Sequence, residues 1–164
     1  MQTKTRIFIT TFILFSATIF SQTKVRPANK TIKDSIFNKG DIIKIPELIY
    51  QLSHPMGTET IDSLKPVAEF LKKNPTLKVE ISCHTDSRGR DTLNIMLSDF
   101  RAKHVRDYLI NEKGIAANRL TFKGYGESAP IISAKEILKA KTNRDKEKLY
   151  SINRRTELKV LEVE

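Results

Sequence analysis

The chain has 164 residues and a formal net charge of +10, from 29 Lys and Arg against 19 Asp and Glu. This length supports one domain with a two-layer core and excludes two large lobes. The charge points to anionic surroundings (nucleic acid, lipid headgroups or a carboxylate-bearing polymer) without choosing among them. Cys83 is the only cysteine, which excludes an intramolecular disulfide; lying far from the start, it cannot serve as an N-terminal lipid-attachment cysteine.

Residues 1–22 carry Lys4 and Arg6, an apolar run from Ile7 to Phe20, and then Ser21. A basic start, a short apolar centre and a small-residue exit predict a secretory signal cleaved near Ser21–Gln22. The competing reading is a retained anchor, but a spanning helix wants about 20 apolar residues. Export argues against a nucleic-acid partner. Residues 23–40 are polar and basic with little periodicity and read as a linker or mobile arm. Residues 41–52 are rich in Ile and Leu and suggest a strand or two, with Pro46 pushing part of the segment to an edge. The domain proper is expected over residues 41–164.

Leu64, Val67, Ala68, Phe70 and Leu71, with Ile61, form a helical apolar stripe that Asn74–Pro75 stops. "LKVEISCH" (77–84) then alternates, with Leu77, Val79, Ile81 and Cys83 on one side and Lys78, Glu80, Ser82 and His84 on the other. That is a half-buried strand. A second helix is expected from about Asp91, as its N-cap, to Glu112. Its core stripe is Leu97, Val105 and Leu109, filled in by Ala102 and Tyr108, and Gly114 follows its end. "RLTFKGYGES" gives a short strand and a glycine-rich turn, and "NRRTELKVLEV" a closing strand. Between them, residues 133–150 read as a lysine-rich insertion, a loop with a helical turn or two. No internal repeat is present. Helices alternating with strands predict an α/β two-layer sandwich with helices on one face of the sheet.

Asp86 stands where the chain leaves the strand at 77–84, and Asn94, Ser98 and Arg101 fall on one face of the next helix, a stripe about 10 Å long. A groove between them would carry a carboxylate on one side and a guanidinium fork on the other, which suits a zwitterion. Asp86 takes an ammonium, Arg101 takes a carboxylate, and Asn94 reads an amide between them. The plainer reading is a weak surface ion pair between Asp86 and Arg101, or solvation of both.

"HTDSRG", "LNIMLSDFRA", "GIAANRLTFKGYGESAPI" and "NRRTELKV" come in this order. Together they resemble the OmpA-like C-terminal domain family, the peptidoglycan-binding module of outer-membrane proteins, peptidoglycan-associated lipoproteins and flagellar stator proteins. The resemblance covers about residues 60–162, interrupted by the insertion. It implies a βαβαβ sandwich with a mixed sheet that binds the peptidoglycan stem peptide noncovalently at its diaminopimelate residue, in the periplasm and peripheral to the outer membrane or wall. On this resemblance Asp86, Arg101 and Asn94 meet the ligand, Thr85, Leu97 and Ser98 adjoin it, and "NRR" supplies a basic group, Arg154 or Arg155, with Arg155 favoured. Two departures stand out. "IYQLSHPMGTET" lacks the acid and asparagine of the family's first strand, leaving His54 as a conceivable substitute, and Phe100 replaces a frequent second arginine.

Other chemistries find less support. His84, Asp86 and His104 show no recognised metal-ligand spacing, so no metal or cofactor is implied. Asp86 and Asp91 could serve a two-carboxylate hydrolase only if they flanked a substrate cleft, and an enzyme is not expected. The remaining rival keeps the fold as a protein-interaction or structural module of an envelope complex, with residues 23–50 as a partner-binding arm. The insertion sets Lys135, Lys139, Lys141, Arg144, Lys146 and Lys148 against three acids. It reads as a solvated loop or as a long-range attractor for an acidic wall polymer.

Overall fold

A computed structural model describes residues 29–45 and 58–163. The expectations for the leader, for Pro46 and Tyr50, and for His54 lie outside the described residues. The elements run β1 (Asn29–Thr31), β2 (Ile42–Lys44), α1 (Thr58–Lys73), β3 (Leu77–His84), α2 (Asp91–Asn111), a 3-10 turn (Ala117–Arg119), β4 (Leu120–Gly126), α3 (Ala134–Leu138), α4 (Asn143–Asn153) and β5 (Thr156–Val163).

The strands form one mixed sheet in the order β1-β2-β5-β3-β4. β3 pairs in parallel with β4 and antiparallel with β5, while β2 pairs antiparallel with β5 and in parallel with β1. The parallel β3–β4 pair needs a crossover, and α2 provides it. Leu64, Val67, Ala68 and Leu71 of α1 and Ala102, Val105 and Leu109 of α2 share one core with Val79, Ile81, Leu158 and Val160. Shared burial of both helices with one set of strand side chains makes the two layers.

Three local readings change. Residues 29–45 belong to the sheet layer, because β1 and β2 lie at its edge and Phe37 packs edge-on against Phe70 at 5.3 Å. Asp41 is 1% exposed and accepts from the Asn38 backbone N–H at 2.9 Å. The domain therefore begins before residue 41. Asp91 is the first helical residue of α2, and its N-cap is Arg90, with extended backbone and no side-chain cap. Finally, residues 133–150 hold two helices, each begun by a hydroxyl cap. Ser133 accepts from Glu136 N–H and Thr142 from Asp145 N–H.

β3 is more deeply buried than its alternation predicts. Ser82 and His84, on the face away from the helices, are 3% and 5% exposed. His84 stacks on Tyr125 at 5.0 Å, and its Nε2 is 3.5 Å from Glu157 Oε2. Tyr125 in turn donates its hydroxyl to Glu80 at 2.8 Å, and Arg155 donates Nε to Glu157 at 2.8 Å. Burial raises the Tyr125 phenol to about 12, helped by the Glu80 carboxylate. Burial also opposes charge on Glu157, but the His84 ring beside it and the hydrogen bond from Arg155 hold it below the usual carboxylate range. A central strand has neighbours on both edges, so its polar residues are enclosed by cross-strand partners that alternation cannot reveal.

Two glycines let α2 lie close against β4. A Cβ on Gly124 would collide with the Asp99 backbone nitrogen, and Gly126 has φ +52 with Ile95 beside it. This close approach fixes the height of α2 over the end of β3, where the candidate site lies.

Candidate functional site

The site begins where β3 ends. Thr85 N–H bonds to the Gly126 carbonyl at 2.9 Å, and His84 N–H bonds to the Arg155 carbonyl at 2.9 Å, so the strand exit is held from both sides. The chain then turns through Gly89, whose φ of +103 is the left-handed region that glycine occupies without strain. Asn94, on the first turn of α2, donates its side-chain amide to the carbonyls of Asp86 (3.3 Å) and Arg88 (3.2 Å) and to Glu127 Oε2 (2.6 Å). It thus pins the loop to the helix.

Asp86 is 6% exposed and accepts four hydrogen bonds. Arg88 supplies its backbone N–H at 3.0 Å, Nε at 3.1 Å and Nη2 at 2.7 Å. Arg154, at the junction of α4 and β5, supplies Nη1 at 2.6 Å. Both arginines then turn outward to one carboxylate on α4. Arg88 Nη1 meets Glu147 Oε2 at 2.9 Å, and Arg154 Nη2 meets Glu147 Oε1 at 2.7 Å. The result is a closed ring of two acids and two guanidinium groups. Tyr150, one turn beyond Glu147, lies under the Arg88 guanidinium at 4.3 Å.

The charges follow from these contacts. Burial would raise the Asp86 carboxyl, but the hydrogen bonds from Arg88 and Arg154 outweigh it and hold the group below its ordinary range. The same bond to Asp86 raises the already high pKa of Arg88. Glu147 is lowered chiefly by its bond from Arg154. All four groups are charged at neutral pH, and the ring as a whole is electrically balanced.

The expected residues divide by what holds them. Asp86, Thr85, Asn94, Ser98 and Arg101 are all buried, and Arg101 is 8% exposed on α2. The carboxylate does not stand open: Arg88 and Arg154 already engage it. Asn94 spends its donors on the loop and Glu127 instead of presenting them to a ligand. Ser98 is fully buried, donates to the Ile95 carbonyl at 2.9 Å and accepts from Gly126 N–H at 2.9 Å, so it fastens α2 to β4 and does not line an open groove. Leu97 is half-buried and stands outside the main core. Of the paired arginines, Arg154 reaches Asp86, whereas Arg155 bonds to Glu157 and to the Ala129 carbonyl at 3.1 Å. The sequence motif favoured Arg155 as the basic group near the ligand, whereas the residue bonded to Asp86 is Arg154. Both stand in the connection between α4 and β5, and the path of that connection turns Arg154 to the Asp86 loop and Arg155 to Glu157.

Two participants carried no signal of this role: Arg88 lies inside "HTDSRG" and Glu147 outside all four motifs. Arg88 lies in a turn that tolerates most side chains, and Glu147 is one acid among many lysines, 59 residues from its partner. Asn153 of "NRR" does have a role: its amide accepts from Ile131 and Ile132 N–H, both at 2.9 Å, and donates to the Ile132 carbonyl at 2.8 Å. The insertion is thereby clasped back onto the chain. Among the described residues no group of three or more His, Cys, Asp or Glu could hold a metal ion, and no helix is long and apolar enough to cross a membrane.

The chain is thus a two-layer α/β domain with an ionised, arginine-lined carboxylate at the end of β3. Residues 54–144 match the OmpA family, and the chain belongs to it. It is 44% identical over 68 residues to outer membrane porin F of Pseudomonas aeruginosa, covering 42% of this chain and 19% of that protein. It is 33% identical over 104 residues to the peptidoglycan-associated lipoprotein of Buchnera aphidicola, covering 63% of this chain and 54% of that protein. The chain therefore spans about a fifth and about half of these curated relatives. Among solved structures, the cell wall anchor of the T6SS from Pseudomonas aeruginosa superposes with a TM-score of 0.56 at 27% identity, covering 75% of this chain and 80% of that one. The family is one of structural envelope domains and not of enzymes.

Proposed function

We propose that this chain binds peptidoglycan noncovalently through the diaminopimelate-bearing stem peptide and so tethers an envelope component to the wall, in the periplasm. The observation that carries the reading is a buried, ionised Asp86 at the β3 exit, with Arg101 buried on the helix α2 that follows, inside a family whose relatives include a peptidoglycan-associated lipoprotein. Diaminopimelate offers an ammonium beside a carboxylate. Asp86 is the acceptor for the first, and Arg101 a fork for the second. Because Asp86 already holds two arginines, the ligand's ammonium enters by exchange: it takes a share of a carboxylate that stays compensated throughout. Exchange between cations avoids the cost of leaving a buried charge bare.

The test is cosedimentation of the full chain with purified sacculi, beside Asp86→Ala and Arg101→Ala. Wild-type protein should pellet with the sacculi and both variants should remain largely in solution. Wild-type protein in the supernatant at low salt would end the reading.

A second reading has its own support. Asn94 and Ser98 are spent on internal bonds and Asp86 is already satisfied, which suits a module that docks an envelope protein without wall binding. Of residues 23–50, 29–45 belong to the sheet layer, which leaves residues 23–28 at the start as the proposed contact segment. Deleting residues 23–28, which leaves the sheet intact, and finding the same co-purifying envelope proteins would count against that assignment.

A further inference from the structure

Arg88 and Arg154 share an arrangement that their bond to Asp86 does not require. Each places one part of its guanidinium on Asp86 and turns another outward, and the outward parts converge on a single carboxylate. That carboxylate belongs to Glu147, whose side chain is 52% exposed, whereas the Asp86 side chain is 8% exposed. The inner half of the ring is thus a buried anchor, and the outer half is a rim contact open to solvent. Helix α4 grips Arg88 twice, through Glu147 and through the Tyr150 ring, so the guanidinium is held in place even as Glu147 exchanges.

We propose that Arg88 and Arg154 form a carboxylate subsite beside Asp86, and that Glu147 is a built-in competitor occupying it until a ligand carboxylate takes its place. This rests on the wall-binding reading for the identity of the ligand, but not for the existence of the subsite. Two convergent forks match the two oxygens of a carboxylate, and Glu147 demonstrates the fit. An exposed ion pair contributes little stability, so substitution of one carboxylate by another is near balance. Tethering gives Glu147 a high local concentration, and a ligand sees only the fraction of molecules in which the subsite is vacated. Removing the charge of Glu147 should therefore strengthen binding of a carboxylate ligand, the opposite of what deleting a ligand-contact residue does. It also gives the insertion a role in setting affinity, since α4 brings Glu147, Tyr150 and, at its end, Arg154 to one place.

The experiment compares the wild-type chain with Glu147→Gln and Arg88→Gln. Two probes are titrated: meso-diaminopimelate by calorimetry, and glutarate by NMR of the arginine Nε–H signals. For Glu147→Gln we expect diaminopimelate to bind about five- to tenfold more tightly than to wild type, with lysine, which lacks the second carboxylate, changed less than twofold. Glutarate should shift the Arg88 and Arg154 signals at several-fold lower concentration in Glu147→Gln than in wild type, and Arg88→Gln should lose both responses. Equal or weaker binding of both probes to Glu147→Gln would overturn the proposal. If diaminopimelate binds neither protein while glutarate still distinguishes them, the subsite stands and the wall-binding reading fails. If diaminopimelate binds both proteins equally and glutarate does not distinguish them, the wall-binding reading stands and the subsite falls.

Discussion

Arg154 donates Nη1 to Asp86 at 2.6 Å across 68 residues of sequence, joining the C-terminal cap of α4 to the loop after β3. The bond closes the polar end of the sheet. Together with the bonds from Arg88 it keeps the most buried acid in the ring ionised, and it brings the α4 insertion over it.

Asp86 should make stability fall in acid. Its folded pKa is depressed, so its contribution is complete above the ordinary carboxylate value and is lost as pH falls through the folded value. Glu147 and Glu157 carry the same sign. At neutral pH, Asp86→Asn should cost about 1–3 kcal/mol by weakening charge-assisted bonds. The gap to wild type should narrow below about pH 4, where the carboxylate begins to protonate. Urea midpoints at several pH values decide it; a gap that stays constant would contradict the assignment.

Gly124→Ala should destabilise strongly for its size. The added methyl lands on the α2 backbone at Asp99, not on a movable side chain, so the helix must lift from β4. We expect a loss of about 1–3 kcal/mol. Sacculus binding should weaken with it, because Asn94 and Arg101 ride on the same helix. An unchanged urea midpoint would show that α2 is not seated as described.

Ser98→Ala separates a structural bond from a recognition contact. The substitution strips the acceptor from the buried Gly126 N–H and should cost about 1–3 kcal/mol. Under conditions where the variant remains folded, its affinity for sacculi should match wild type within about twofold. A selective loss of affinity with unchanged stability would restore Ser98 as a ligand residue.

The exposed cations of the insertion should govern approach more than residence. Lys135, Lys139, Lys141 and Lys148 line the outer surface of this segment, and all four are exposed. Replacing all four with Gln should slow association with sacculi at low salt and flatten its salt dependence, leaving dissociation nearly unchanged. Identical salt dependence in the two proteins would assign these lysines to solvation alone.

Local patterns were legible to different depths. Alternation placed β3 at Leu77–His84, as the structure has it, and the stripe through Val105 and Leu109 oriented α2. The order of motifs led to the OmpA fold. Yet the same alternation set Ser82 and His84 on the face away from the core, and only their enclosure between β4 and β5 buries them. Asn94 and Ser98 were read correctly as sharing a face of α2. Which partner that face would meet was not written in the spacing, and it proved to be the Asp86 loop, Glu127 and Gly126.

By itself, the sequence determined α1, β3, α2 and the closing strand, the family, and the position of an acid at the end of β3, because periodicity and turn chemistry act between neighbours in the chain. Tertiary structure alone decided that Arg154 and not Arg155 meets Asp86, that Arg88 completes the pair, and that a single glutamate in a lysine-rich insertion holds both. Those contacts span tens of residues, and a guanidinium has no local preference for one carboxylate over another. Sheet order and the docking of α4 choose the partner, and neither is a property of any short stretch of sequence.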